Sequence, residues 1–282
     1  MKLSEIIYQG QNILQKANIK NSRREAILLI NHALKIKEYE ILSNPNKTIN
    51  KKDYEIIIDL LKKRAQGQPH AYLINNKNFY NLKFYINKNV LIPRPETEHI
   101  VEYILKNIKK NAPINIIDLG VGCGTVLLSL LYNLPFSYGV GIDVSIKALE
   151  VAKKNINNFN LNDRCELVKG DWANSITSNY FDILICNPPY IDEKHINNLN
   201  KNVKNFEPLI ALNGGKNGLE VLNNLLPSAR KCLKKNGLAF FEIGYDQSIK
   251  AQKLIYKNKF KIYEIIKDFA RYERVIVVKP IL

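Results

Sequence analysis

The 282-residue sequence predicts an α/β fold, a mostly parallel sheet of seven strands with helices on both faces, preceded by a small all-helical domain. Two observations carry this. Short apolar runs at 114–119, 138–142, 166–168, 183–186 and 238–243 alternate with segments of helical periodicity, the pattern of strand–helix–strand units. The last two runs, 260–266 and 274–279, are joined only by a short polar link, so they are expected to pair antiparallel.

Upstream, Leu3, Ile6, Ile7, Ile13, Leu14 and Ala17 fall on one stripe of an amphipathic helix. Ser22 and Glu25 have the spacing of a capping box, in which each side chain satisfies the other's free backbone N–H, and they predict a second helix to about residue 36. Beyond the turn-prone Ser43-Asn44-Pro45-Asn46, the spacing of Ile56, Ile57, Leu60 and Leu61 predicts another helix over 52–65. The stretch 79–92 alternates apolar and polar residues and ends at Pro93 and Pro95, which suggests a short two-stranded element. The expected organisation is a helical domain over 1–75, a β-hairpin linker over 76–95 and the sheet domain over 96–282.

Hydrophobic residues at 46% and charged residues at 24% are the proportions of an ordinary soluble protein. No apolar run approaches the ~20 residues that span a bilayer. The N-terminus lacks the apolar core of a signal peptide, so a cytoplasmic protein without a membrane partner is expected. Cys123, Cys165, Cys186 and Cys232 are scattered, with no C-x-x-C spacing, and predict buried free thiols. His32, His70, His99 and His195 have no ligand spacing, and no metal is expected. The net charge of +16 would attract nucleic acid or an acidic protein surface, so nucleic acid is a possible partner and not a required one. Heavy use of Lys, Asn and Ile throughout, as in an AT-rich genome, explains the same charge.

The chemistry concentrates at strand ends. Asp118-Leu119-Gly120-Val121-Gly122-Cys123-Gly124 is a strand running into a glycine-rich turn and a helix, where backbone can approach a nucleotide-like ligand closely. The spacing G-x-G-x-G is not the dinucleotide fingerprint, which disfavours NAD. About 20 residues on, the next strand ends at Asp143, whose carboxylate can accept from both hydroxyls of a ribose or can cap the helix near Ser145. Asp171-Trp172 follows a third strand, where an acid can accept from an adenine amino group and the ring can cover the base or pack in the core.

Asn187-Pro188-Pro189-Tyr190 follows the apolar strand 183–186. Consecutive prolines are rigid and leave their carbonyls free. The Asn187 side-chain oxygen and the Pro188 carbonyl can take the two N–H bonds of a planar amide while the Tyr190 ring stacks on its face. Pulling on both protons favours a tetrahedral nitrogen and frees a lone pair otherwise delocalised into the carbonyl.

These residues, with Gly67-Gln68-Pro69, Phe79-Tyr80, the run from Leu91 to Glu98 and Glu242-Ile243-Gly244, make the chain resemble the bacterial release factor glutamine methyltransferases, the PrmC or HemK family, over essentially its whole length. The resemblance implies a Rossmann-like class I methyltransferase domain using S-adenosylmethionine. It also implies a helical N-terminal domain that grips a peptide chain release factor, and methylation of the glutamine in that factor's Gly-Gly-Gln motif. By position, Gly120, Val121, Gly122, Cys123, Gly124, Asp143, Asp171, Trp172 and Asn187 would hold the cofactor. Asn187, Pro188, Pro189 and Tyr190 would hold the glutamine. The sequence departs from the family pattern at Val121, Cys123, Asn75-Asn76 and His99, and Cys123 would make the loop oxidisable. Arg94, Glu96 and Glu98 line the site or cap the following helix. Methylation of a base amino group in RNA or DNA, or of a ribosomal-protein glutamine, is an alternative that the same Asn-Pro-Pro-Tyr motif allows.

Overall fold

The computed structural model describes residues 1–281 and divides into two compact units, residues 1–76 with 200–206, and residues 77–199 with 207–282.

The first unit holds α1 (Leu3–Lys16), α2 (Ser22–Leu34), α3 (Glu38–Ser43), α4 (Lys51–Ala65) and α5 (His70–Leu73). Leu3, Ile6 and Leu14 of α1, Leu29 and Ile30 of α2 and Ile57 and Leu61 of α4 are fully buried in one core. Gly10 lets α1 close on its neighbours, since a β-carbon there would sit 3.0 Å from both Ala26 and Leu61. The capping box expected at Ser22 and Glu25 does not form. Asn21 is the N-cap of α2, in a left-handed conformation without a side-chain cap. Glu25 instead accepts from Arg64 Nε at 2.9 Å and faces His70 Nδ1 at 3.2 Å, tying α2 to the ends of α4 and α5. Glu5 and Glu40 instead reach back to accept from the free backbone N–H of Lys2 and Lys37 at 2.9 and 3.2 Å, half of a capping box, since a lysine side chain has no acceptor to complete it. Asn75, where the family resemblance leads one to expect glycine, has φ +52°, a conformation asparagine tolerates better than other side chains.

At the boundary between the units begins the hairpin β1 (Asn76–Phe79) and β2 (Leu82–Tyr85), all but its first residue in the second unit, whose turn residues Tyr80 and Asn81 both have positive φ. Then come α6 (Glu98–Asn107), β3 (Asn115–Leu119), α7 (Thr125–Asn133), β4 (Tyr138–Asp143), α8 (Ile146–Asn158), β5 (Cys165–Lys169) and β6 (Phe181–Cys186). After the short α9 (Lys201–Lys204) of the first unit, α10 (Glu220–Cys232), β7 (Leu233–Glu242), α11 (Ser248–Lys257), β8 (Phe260–Lys267) and β9 (Glu273–Pro280) complete it. The seven-stranded sheet has the order β5-β4-β3-β6-β7-β9-β8, parallel from β5 to β7 and antiparallel across β9 and β8. The α/β fold class and its antiparallel finish are as the sequence predicts. All four cysteines are buried and free. Among the described residues, no helix is long and apolar enough to cross a membrane.

The Glu25 contact gives the first unit an acid sensitivity. Burial alone would raise the carboxyl, but hydrogen bonds from His70 and Arg64 outweigh it and hold it at about 2 against an ordinary 4.5. Its stabilisation is therefore complete above pH 4.5 and is lost as pH falls toward 2. Thermal unfolding of Glu25→Gln should show a lower midpoint than the native chain at pH 6 and a difference that shrinks below pH 4; an undiminished difference at pH 2.5 would refute the assignment.

Candidate active site

Register sets the geometry of the site. Leu119 of β3 is level with Ile142 on one side and Cys186 on the other, and Cys186 is level with Phe241. The residues that follow, Gly120, Asp143, Asn187 and Glu242, therefore form a row along the C-terminal edge of the sheet. The strand order reverses at β3, so the chain diverges to either side and leaves a crevice there. A cavity of about 580 Å³ occupies it, lined by Gly120, Gly122, Asp143, Asp171, Trp172, Asn187 and Pro189, and by Leu209 and Ile210.

The glycine loop is tied to the end of β4. Gly120 and Val121 donate their backbone N–H to Ile142 O at 2.9 and 2.8 Å, and Gly122, at φ +55°, donates to one Asp143 oxygen at 3.0 Å. The other Asp143 oxygen accepts from Ser145 N at 2.9 Å. Capping of α8 falls to Ser145 itself, whose hydroxyl accepts from Ala148 N. Asp143 thus lines the cavity with both oxygens held by backbone N–H groups, and a carboxylate's roughly four acceptor positions leave room for a further donor. Burial raises the Asp143 pKa, with the backbone N–H groups opposing.

Trp172 has φ +53°, strained for a large side chain, and its ring both packs on the core and lies over Gly120, whose β-carbon would come within 3.7 Å of it. Trp172 thus packs against the core and also lines the cavity. Val121 and Cys123 line a smaller adjoining pocket instead, and Gly124 lines neither, packing beneath α7 against Leu128. Cys123 is 3% exposed, and burial pushes its thiol up to about 12, which disfavours the thiolate through which an oxidisable loop would react.

Asn187 lines both pockets, and Pro189 the larger; Pro188 is buried and, like Tyr190, lines neither. The backbone of this turn is held from behind. Gln247 Nε2 donates to Tyr190 O at 2.8 Å while its Oε1 accepts from Gly244 N. Gly218, at φ +66°, approaches so closely that a β-carbon would lie 2.1 Å from Tyr190 O.

Asp118, Thr97 and Glu242, to which the sequence assigned no role, are part of the site, and so is Arg94, for which it left two readings open. Asp118 lines the smaller pocket, and burial raises it to about 7. Arg94 lines the same pocket and donates to Glu207 at 2.8 Å, while Glu207 also accepts from Ile92 N and so fixes the 92–94 segment. Glu98 lines neither pocket; it sits in the first turn of α6, where its charge favours the helix dipole, and accepts from Tyr80 N in the hairpin turn. Thr97 and Glu242, 4% and 2% exposed, stand behind Asn187. Acids inside apolar strands, Asp118 in Ile-Ile-Asp-Leu and Glu242 in Phe-Phe-Glu-Ile, were the readable signal, because burying a carboxyl without a purpose is costly.

The methyltransferase small domain model matches residues 97–206, and the PrmC N-terminal domain model matches residues 5–74. A release factor glutamine methyltransferase from Caulobacter vibrioides is 37% identical over 94% of this chain and 91% of its own length. The chain belongs to the release factor glutamine methyltransferase family. It is a methyltransferase whose methyl donor is S-adenosylmethionine. Another member, from Clostridium botulinum, is 34% identical over 98% of both chains. A bifunctional methyltransferase of Rickettsia bellii is 32% identical, and this chain spans 55% of its length. Among solved structures, a ribosomal protein L11 methylase from Lactobacillus delbrueckii shares the fold, with a TM-score of 0.50 and 16% identity over 69% of this chain and 82% of its own.

The close approach of Gly218 is testable. Gly218→Ala should destabilise the protein by about 1–3 kcal/mol through overpacking, before any strain from its positive φ is added. An unchanged midpoint in thermal unfolding would show that the 187–190 turn can move freely.

Proposed function

We propose that this enzyme methylates the side-chain amide nitrogen of the glutamine in the Gly-Gly-Gln motif of peptide chain release factors, with Asn187, Pro188 and Tyr190 as its catalytic residues. The observation that carries the reading is Asn187, which lines the cavity at the end of β6 with its amide nitrogen already engaged inside the protein by Thr97, leaving its oxygen as an acceptor.

The residues fit S-adenosylmethionine. Asp143, anchored by backbone N–H groups at the cavity wall, can accept from a ribose hydroxyl, Trp172 with Asp171 and Pro189 suits a flat base, and Gly120 and Gly122 leave the space a side chain would fill. Val121, Cys123 and Gly124 act by shaping the loop, through its backbone and packing. Asp118 and Arg94 in the smaller pocket match the ammonium and carboxylate of an amino acid moiety. When bound, the cofactor supplies an electrophilic sulfonium methyl.

The protein's own contribution is orientation. Asn187 Oδ1 and the Pro188 carbonyl accept the two amide protons and hold the nitrogen with its lone pair directed at the methyl, while the Tyr190 ring and Pro189 confine the plane of the amide. Acceptors on both protons also stabilise the positive charge that grows on nitrogen as the N–C bond forms and before one proton leaves. Burial lifts the Tyr190 phenol to about 12, so it stays neutral and serves as a stacking face. Residues 1–75 are assigned to gripping the release factor, and the place of action to the cytoplasm, where termination occurs.

Labelled S-adenosylmethionine offered with a release factor, the same factor with its Gly-Gln changed to Gly-Ala, and bulk RNA should label the unaltered factor alone. Label on RNA would transfer the reading to base methylation. Asn187→Ala should lower kcat by on the order of 10²-fold with the cofactor Kd little changed. Asp143→Ala should do the reverse, weakening cofactor binding in calorimetry by on the order of tenfold or more.

A further inference from the structure

Asparagine's amide is nearly symmetric in shape but opposite in polarity at its two ends, so a reaction that needs its oxygen outward must forbid the flipped rotamer. Three side chains supply a directional chain. Glu242, at the end of β7, accepts from Thr97 Oγ1 at 2.7 Å. A carboxylate can only accept, so the single Thr97 proton points at Glu242. The Thr97 oxygen is then left as an acceptor toward Asn187, whose Nδ2 donates to it at 3.3 Å, with the Glu242 carboxylate also within hydrogen-bonding reach of that amide. In the flipped rotamer two oxygens would confront each other with no proton between them. Both Thr97 and Glu242 are buried, so no water readily substitutes for either.

We propose that Thr97 and Glu242 are positioning residues that fix the Asn187 amide with its nitrogen inward and its oxygen toward the substrate. This rests on the assignment of Asn187 to the substrate amide, and it adds a polarity relay that reaches the motif from two other elements, the turn before α6 and the end of β7. Neither residue touches the reacting atoms. Glu242 is surrounded by Arg274 of β9, Glu96, Tyr190 and Cys186, and burial with the Glu96 charge opposes Thr97 and Arg274 in setting its protonation near pH 7. The relay requires Glu242 as a carboxylate, the form that its Thr97 and Arg274 contacts favour and that higher pH promotes.

The test is made at pH 8 with Thr97→Val, which keeps the shape and removes both hydrogen-bonding functions, Thr97→Ser, which keeps them, and Glu242→Leu. In the protein without cofactor or substrate, the Asn187 side-chain amide resonance, identified by its loss in Asn187→Ala, should be slowed in hydrogen exchange, exchange faster in Thr97→Val, and recover in Thr97→Ser. With release factor, Thr97→Val should lose about tenfold in kcat with little change in KM or in S-adenosylhomocysteine affinity, and Thr97→Ser should recover most of that loss. Glu242→Leu should match Thr97→Val in both measurements. Unchanged exchange in Thr97→Val, equal losses in the valine and serine variants, or native protection in Glu242→Leu would each overturn the relay. The exchange measurement involves no turnover, so the relay can fail while the substrate assignment stands. Native kcat in Asn187→Ala, by contrast, removes the substrate assignment itself.

Discussion

Parallel strands hydrogen-bonded in register must end together, and the residues that follow them are delivered to a common edge. In this protein β4, β3, β6 and β7 finish level, and the edge receives Asp143, Gly120, Asn187 and Glu242 in sequence across the sheet. No one of these residues is near another in the chain. Their convergence depends on the backbone ladder, and hence on the buried Ile117, Leu119, Leu184, Cys186 and Phe241 that hold the strands between layers of helix. A slip of one residue in β6 would turn the side chain of Asn187 to the opposite face of the sheet.

On this edge burial and charge act against each other. Asp118 and Glu242 are each lifted toward neutrality by the surrounding protein, although both keep hydrogen-bonding partners. A buried carboxylate, which can only accept, imposes direction on the donors around it, and that direction matters for a reaction whose substrate, a neutral amide, offers little charge to grip. The basic surface of the protein, at +16 overall, plays no part in this geometry.

Much of this was readable in the sequence because the signals are local. Apolar runs marked the seven strands, and the Asn-Pro-Pro-Tyr turn and Asp143 lie at strand ends, where position in the chain translates directly into position in the fold. What was hidden depends on long-range pairing. Glu25 has the spacing of a capping residue, yet Arg64 and His70, some 40 residues on, compete for it and win. Thr97 is separated from Glu242 by 145 residues, and nothing near either in the chain reveals the bond. Likewise, the hold of Gly218 and Gln247 on Tyr190 emerges only once β6, β7 and the segment before α10 have folded onto each other. Residues 200–206 belong with the helical unit although they lie deep within the sheet domain's stretch of sequence.

The most direct measurement is a crystal structure of the enzyme with S-adenosylhomocysteine and a release factor fragment carrying the glutamine. The account predicts that the glutamine amide nitrogen lies within hydrogen-bonding distance of both Asn187 Oδ1 and the Pro188 carbonyl, with Asn187 Nδ2 still on Thr97. A glutamine whose nitrogen is held by other groups, or an Asn187 turned with its Nδ2 toward the substrate, would contradict it.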